Sequence, residues 1–71
     1  MTVTSAQALK ILTGKQTFLQ LGFSMMITRL RGMYSRNPSE ATLKLCADEM
    51  NAFLHKFAVI MAADYEIVSR L

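Results

Sequence analysis

The sequence predicts an all-α protein: an antiparallel helical hairpin with a short N-terminal helix, dimerising into a helical bundle. Three observations carry this. Apolar residues recur at steps of three and four through both halves of the chain. The β-branched residues are scattered, and strict alternation is absent after Val3, so no strand pattern competes. The one proline, Pro38, sits in a tight turn between two long periodic segments, which makes those segments antiparallel neighbours.

Seventy-one residues make one small domain, 1–71, with helices expected at 5–13, 15–36 and 38–69. In the first, Thr4 and Gln7 have the spacing of a capping box ahead of Ala8, Leu9, Ile11 and Leu12. Gly14 then breaks or kinks the chain. Thr13 and Gln16 repeat the cap spacing and start the second helix. Its stripe is Leu19, Phe23, Met26, Leu30 and Met33, with Gln20, Ser24, Thr28, Arg31 and Ser35 on the opposite face. Gly22 marks either a close helix crossing or a bend.

The third helix has the clearest start. Asn37 is a favoured N-cap, Pro38 suits the first helical position, and Glu40 stands three residues after the cap. No glycine or proline follows, so a single helix of roughly 45 to 50 Å is expected at ~1.5 Å per residue. Leu43, Cys46, Met50, Phe53, Phe57, Ile60, Asp64, Ile67 and Leu71 form a heptad seam. Toward the C-terminus the apolar surface widens, because 57–63 is unbroken and Leu54, Ala58, Met61, Tyr65 and Val68 add a second stripe.

A chain this short buries little core and usually needs a staple. Cys46 is the only cysteine, so no disulfide forms within the chain, and no His, Cys or carboxylate cluster has metal-site spacing. Oligomerisation is the remaining staple, and a dimer or a helical protein partner is expected. The net charge of +3 is uneven: Lys10, Lys15, Arg29, Arg31 and Arg36 are the only charges before Pro38, and acidic residues outnumber basic ones after it. Such a split suits two helices that attract each other, or a nucleic-acid arm. The longest stretch without charge, 16–28, is too short and polar to span a bilayer, and no cleavage pattern follows it. A cytoplasmic protein is therefore expected.

No catalytic residue, cofactor or metal ligand is expected. Cys46 and His55 are the only residues suggesting nucleophilic chemistry, and nine helical residues place them on opposite sides of a helix. Their bland reading is a packed thiol and a solvated histidine. The expected interface is Leu43, Cys46, Met50, Phe53, Phe57, Ile60, Met61 and Tyr65, with Leu19, Phe23, Met26 and Leu30 opposite. Asp64 is the one charge in the seam and needs a partner if buried, for which equal counting from the turn offers Lys10; fraying near the C-terminus would instead leave it wet. Arg29, Arg31 and Arg36, with Tyr34 among them, are candidate phosphate contacts. Six methionines, Met1 included, suit either a core or an adaptable groove.

The turn Asn37-Pro38-Ser39, followed by Leu43, resembles that of the small helical-hairpin subunits of type III secretion needles. Ala41 stands where that turn usually has a second proline, and the polar, glutamine-bearing segment that would follow is absent. The resemblance covers the turn and the hairpin layout, and it places secretion-apparatus subunits or their small chaperones among the possible assemblies. The functional expectation is a non-enzymatic protein-interaction module: an adaptor, chaperone, regulator or assembly subunit. The alternatives are a small basic DNA- or RNA-binding regulator and a peripheral membrane protein using the face 18–27.

Overall fold

The computed structural model describes residues 2–71, so Met1 lies outside the described residues. It contains four helices: α1 (Ser5–Thr13), α2 (Leu21–Arg36), α3 (Glu40–Lys56) and α4 (Ala62–Ser69), with no strand among the described residues. The fold is all-helical, with principal extents of 32 × 21 × 18 Å. Helix α1 packs on both α2 and α3, α2 packs on α3, and α4 reaches α1.

Thr4 opens α1 with the expected box. Its hydroxyl accepts from the Gln7 N–H at 3.1 Å, and the Gln7 carboxamide oxygen accepts from the Thr4 N–H at 3.0 Å. Ala8, Ile11 and Leu12 face the core. At Gly14 the helix stops, because the backbone is extended there and a β-carbon would lie 2.6 Å from the Lys10 carbonyl oxygen. Glycine is the one residue without that atom.

The second helix begins at Leu21, six residues later than the sequence predicts. Thr13 does not cap it: the Thr13 hydroxyl donates to the Leu9 carbonyl in its own helix at 2.7 Å. Residues 14–20 instead run non-helically, pinned from three sides. Arg31 donates to the carbonyls of Ile11 (2.9 Å) and Gln16 (2.8 Å). Phe18 inserts into the core. Asp64 accepts from the N–H groups of Leu19 (2.7 Å) and Gln20 (2.8 Å). The tertiary bonds thus satisfy backbone groups that a longer helix would have paired internally.

Helix α3 starts at Glu40 rather than Pro38. Ser39 is the cap, its hydroxyl accepting from the Thr42 N–H at 3.2 Å, while Asn37 and Pro38 stay in the connection. Along α2 and α3, Arg29 meets Glu49, the Leu30 carbonyl meets the Cys46 thiol, and Phe23 meets Phe53. Gly22 settles as a close crossing, since a β-carbon there would lie 3.3 Å from the Phe53 ring. Helix α2 runs unbroken through it.

The predicted helix over 38–69 is two helices. Residues 57–61 form turns, with Phe57 leaving helical geometry at φ −117°, ψ 35°. No glycine or proline is needed. The run 57–63 is apolar all round, so a straight helix would expose one side of it wherever the other packed. The break redirects the chain so that Met61, Asp64 and Val68 are all buried. The seam is correspondingly replaced: Cys46 and Met50 are core, but Thr42, Ala47 and Leu54 join them while Phe57 and Ile60 do not.

Asp64 is neither wet nor paired with Lys10. It is 1% exposed, and both carboxylate oxygens accept backbone N–H bonds. The Lys10 ammonium donates instead to the Leu71 carbonyl. Removing the carboxylate strands two N–H groups, at a cost of about 3 kcal/mol. Asp64→Ala is therefore expected to lower unfolding stability by about that amount in urea titration, with Asp64→Asn intermediate because one acceptor survives.

Candidate functional site

The same Asp64 contact brings two ends together. It sets the segment before α2 against the first turn of α4, so that the start of α2 and the α3–α4 turn share one end of the molecule. A run of aromatic rings lines the seam between them. Phe18 meets Phe23 edge-on at 4.9 Å, Phe23 meets Phe53 at 5.5 Å, and Phe53 meets Phe57 at 4.7 Å. Burial fades along this run, from Phe23 in the core to Phe57 at the surface.

Beyond Phe57 the surface is apolar and open. Val59 is 92% exposed, Leu19 77%, Leu21 71%, Met25 63% and Ile60 53%. Leu21 and Met25, one helical turn apart, share a face of α2. Val59 and Ile60 project from the turn, and the Lys56 ammonium lies 5.4 Å above the Phe57 ring, where its charge and the ring's π-face attract. Isolated exposed leucines are ordinary, but six exposed large apolar side chains on the segments at one end of so small a molecule are more than scatter.

Of the expected interface residues, Cys46, Met50, Met61, Phe23 and Leu30 are buried in the chain's own core, and Leu43, Phe53, Tyr65 and Met26 are half-buried against it. Phe57, Ile60 and Leu19 remain at the surface, together at this end. Leu21, Met25 and Val59 were missing from that set. The unbroken apolar run at 57–63 was the signal for Val59; nothing in the α2 periodicity separates Leu21 or Met25 from core positions. Within the segment 18–27, Phe18, Phe23 and Ile27 are buried while Leu19, Leu21 and Met25 are exposed.

The arginines have separate occupations. Arg29 forms an ion pair with Glu49 at 2.6 Å, and the Glu49 carboxylate raises the guanidinium's already high pKa through that hydrogen bond and its charge. Arg31 is committed to the Ile11 and Gln16 carbonyls. Arg36 is exposed at the end of α2. Only Arg36 of the three is therefore without a hydrogen-bonded partner among the described residues. Cys46 is buried, its thiol 3.9 Å from the Leu30 carbonyl, and burial pushes its pKa up and away from the reactive thiolate. His55 is exposed in the last turn of α3, and the two are not brought together. No helix among the described residues is long and apolar enough to cross a membrane.

No protein-family model matches the chain, and no curated protein or solved structure matches it.

The two arginines are separable by experiment. Arg31→Ala leaves two carbonyls without their charged donor and is expected to cost about 2 kcal/mol in urea unfolding. Arg29→Ala removes an ion pair whose side chains are 54% and 41% exposed, so its unfolding midpoint should stay close to wild type.

Proposed function

We propose that this chain is a small non-enzymatic protein-interaction module that docks through the apolar end formed by Leu19, Leu21, Met25, Phe57, Val59 and Ile60. Its first partner is a second copy, so that the hairpin of α2 and α3, flanked by α1 and α4, is completed as a dimeric bundle. Adaptors, chaperones, regulators and assembly subunits all work in this way, by burying surface rather than by transforming a substrate.

The single observation behind this reading is the exposure of Val59, Leu19 and Leu21, the three most exposed large apolar side chains among the described residues, at the end where the α3–α4 turn and the start of α2 lie; Leu45 and Leu9 are exposed elsewhere, on α3 and α1. Burying one such side chain contributes about 1.5–3 kcal/mol. A chain with one buried thiol and no disulfide gains most from such a contact. The nucleic-acid alternative is less well supported, because Arg29 and Arg31 are engaged within the fold. The membrane alternative would draw on the exposed Leu19, Leu21 and Met25 of the segment 18–27, the same side chains as the docking end.

Light scattering over a concentration series tests the reading. The wild-type mass is expected to rise from the monomer's 8.0 kDa to twice that, and Val59→Asp, at a position too exposed to disturb the core, is expected to hold it at the monomer value. A wild-type chain that stays monomeric at millimolar concentration would refute the dimer.

A further inference from the structure

The junction between α3 and α4 lacks the local chemistry that ends one helix and starts the next. Phe57 closes α3 without a left-handed glycine or asparagine after it, and no described residue has a positive φ. Met61 opens α4 without a side-chain cap. Helical bonds persist across the break: Phe57 donates to the Phe53 carbonyl at 2.9 Å, Met61 to that of Phe57 at 3.0 Å, and Tyr65 to that of Met61 at 2.8 Å. Between them the N–H groups of Ala58, Val59 and Ile60 meet no backbone acceptor among the described residues. One continuous helix would pair all three, with the carbonyls of Leu54, His55 and Lys56. The local sequence therefore favours helix through 57–61, and the bend is imposed by what α4 packs against.

Those contacts come from segments distant in the chain. Asp64 accepts from Leu19 and Gln20, the Val68 carbonyl accepts from the Gln7 carboxamide at 3.4 Å, and the Lys10 ammonium donates to the Leu71 carbonyl. A single chain cannot straighten the junction and keep them. A helix from Glu40 to Ser69 would be about 45 Å long at ~1.5 Å per residue, against a longest dimension of 32 Å. Straightening alone would thus strip Met61, Asp64 and Val68 of their cover. A second copy removes the conflict, because it offers the same seat to an α4 arriving from outside. Exchange of an identical element re-forms the contacts of the single chain and adds whatever the two hinges make between them. Here a straight hinge brings Phe57 and Ile60, 37% and 53% exposed in the single chain, onto one seam with Phe53.

We propose that the chain dimerises by exchanging α4: residues 57–61 straighten, and α4 of each copy seats Asp64 against the Leu19 and Gln20 N–H groups of the other. This exchange rests on the reading of a second copy as the partner and specifies how the two copies join. Concentration selects between the forms, since closure within one chain needs no partner.

Isotope-filtered NOE spectroscopy tests the exchange, on a dimer refolded from equal amounts of labelled and unlabelled chain. Contacts between Val68 of one chain and the Gln7 carboxamide of the other are expected. If the chain is dimeric and these contacts all lie within one chain, the exchange is overturned while docking through the apolar end stands. If the chain stays monomeric at millimolar concentration, both fall. Ala58→Pro supplies a second arm. Ala58 is not among the docking side chains, and its N–H has no backbone acceptor to lose in the closed chain. Inside a continuous helix, proline at this position would remove a hydrogen bond and clash with the preceding turn. The variant is expected to keep the helical circular dichroism of the monomer while its dimer dissociation constant rises by roughly a hundredfold or more. A dissociation constant unchanged from wild type overturns the exchange. Should Ala58→Pro not fold, the filtered contacts in the wild type decide alone.

Discussion

Where the segment before α2 meets the first turn of α4, a carboxylate sits out of reach of water. Asp64 is 1% exposed, and its two oxygens accept the N–H groups of Leu19 and Gln20 at 2.7 and 2.8 Å. A charge so buried is tolerated only when its acceptor capacity is filled, and backbone donors just ahead of α2, where the helix dipole is positive, fill it well. The consequence spreads outward. Residues 14–20 cannot be helical while Leu19 and Gln20 point their N–H groups at α4, and α4 cannot continue the axis of α3 while its first turn faces them.

The break at 57–61 therefore has a physical cause despite the absence of glycine or proline. A straight continuation would carry Asp64 along the seam with Phe57 and Ile60. Turning the chain instead places Met61, Asp64 and Val68 in the core and leaves Phe57, Val59 and Ile60 outside. Those exposed side chains are a consequence of satisfying the carboxylate, and the same contact sets the segment before α2, with Leu19, against the first turn of α4. The buried charge and the apolar end thus share one origin.

Cations follow similar logic. Arg31 reaches the carbonyls of Ile11 and Gln16, an anchoring role for which a five-donor planar guanidinium is better suited than an ammonium. Arg29, two residues earlier, lies on the α3 side and meets Glu49. An apparently coherent basic run in the sequence is divided by the helical turn among α1, α3 and solvent, so the density of arginine along the chain does not become a density of free charge in space.

By itself the sequence determined the helical class, the capping box of Thr4 and Gln7, a break or kink at Gly14, the turn around Pro38 and the apolar packing of Phe23, Leu30, Cys46 and Met50, which it assigned to an interface rather than to the chain's own core. These follow from local chemistry: periodicity, caps and missing β-carbons act within a few residues. What only the tertiary structure decided is where α2 starts, where the third predicted helix breaks, and which apolar residues stay outside. Each depends on Asp64 finding backbone donors 44 and 45 residues away, and on Arg31 finding carbonyls 15 and 20 residues away. Periodicity ranks faces of a helix without saying which neighbour covers them. A heptad seam from Leu43 to Leu71 was legible, but its division into core and surface was set by a hydrogen bond that no local pattern encodes.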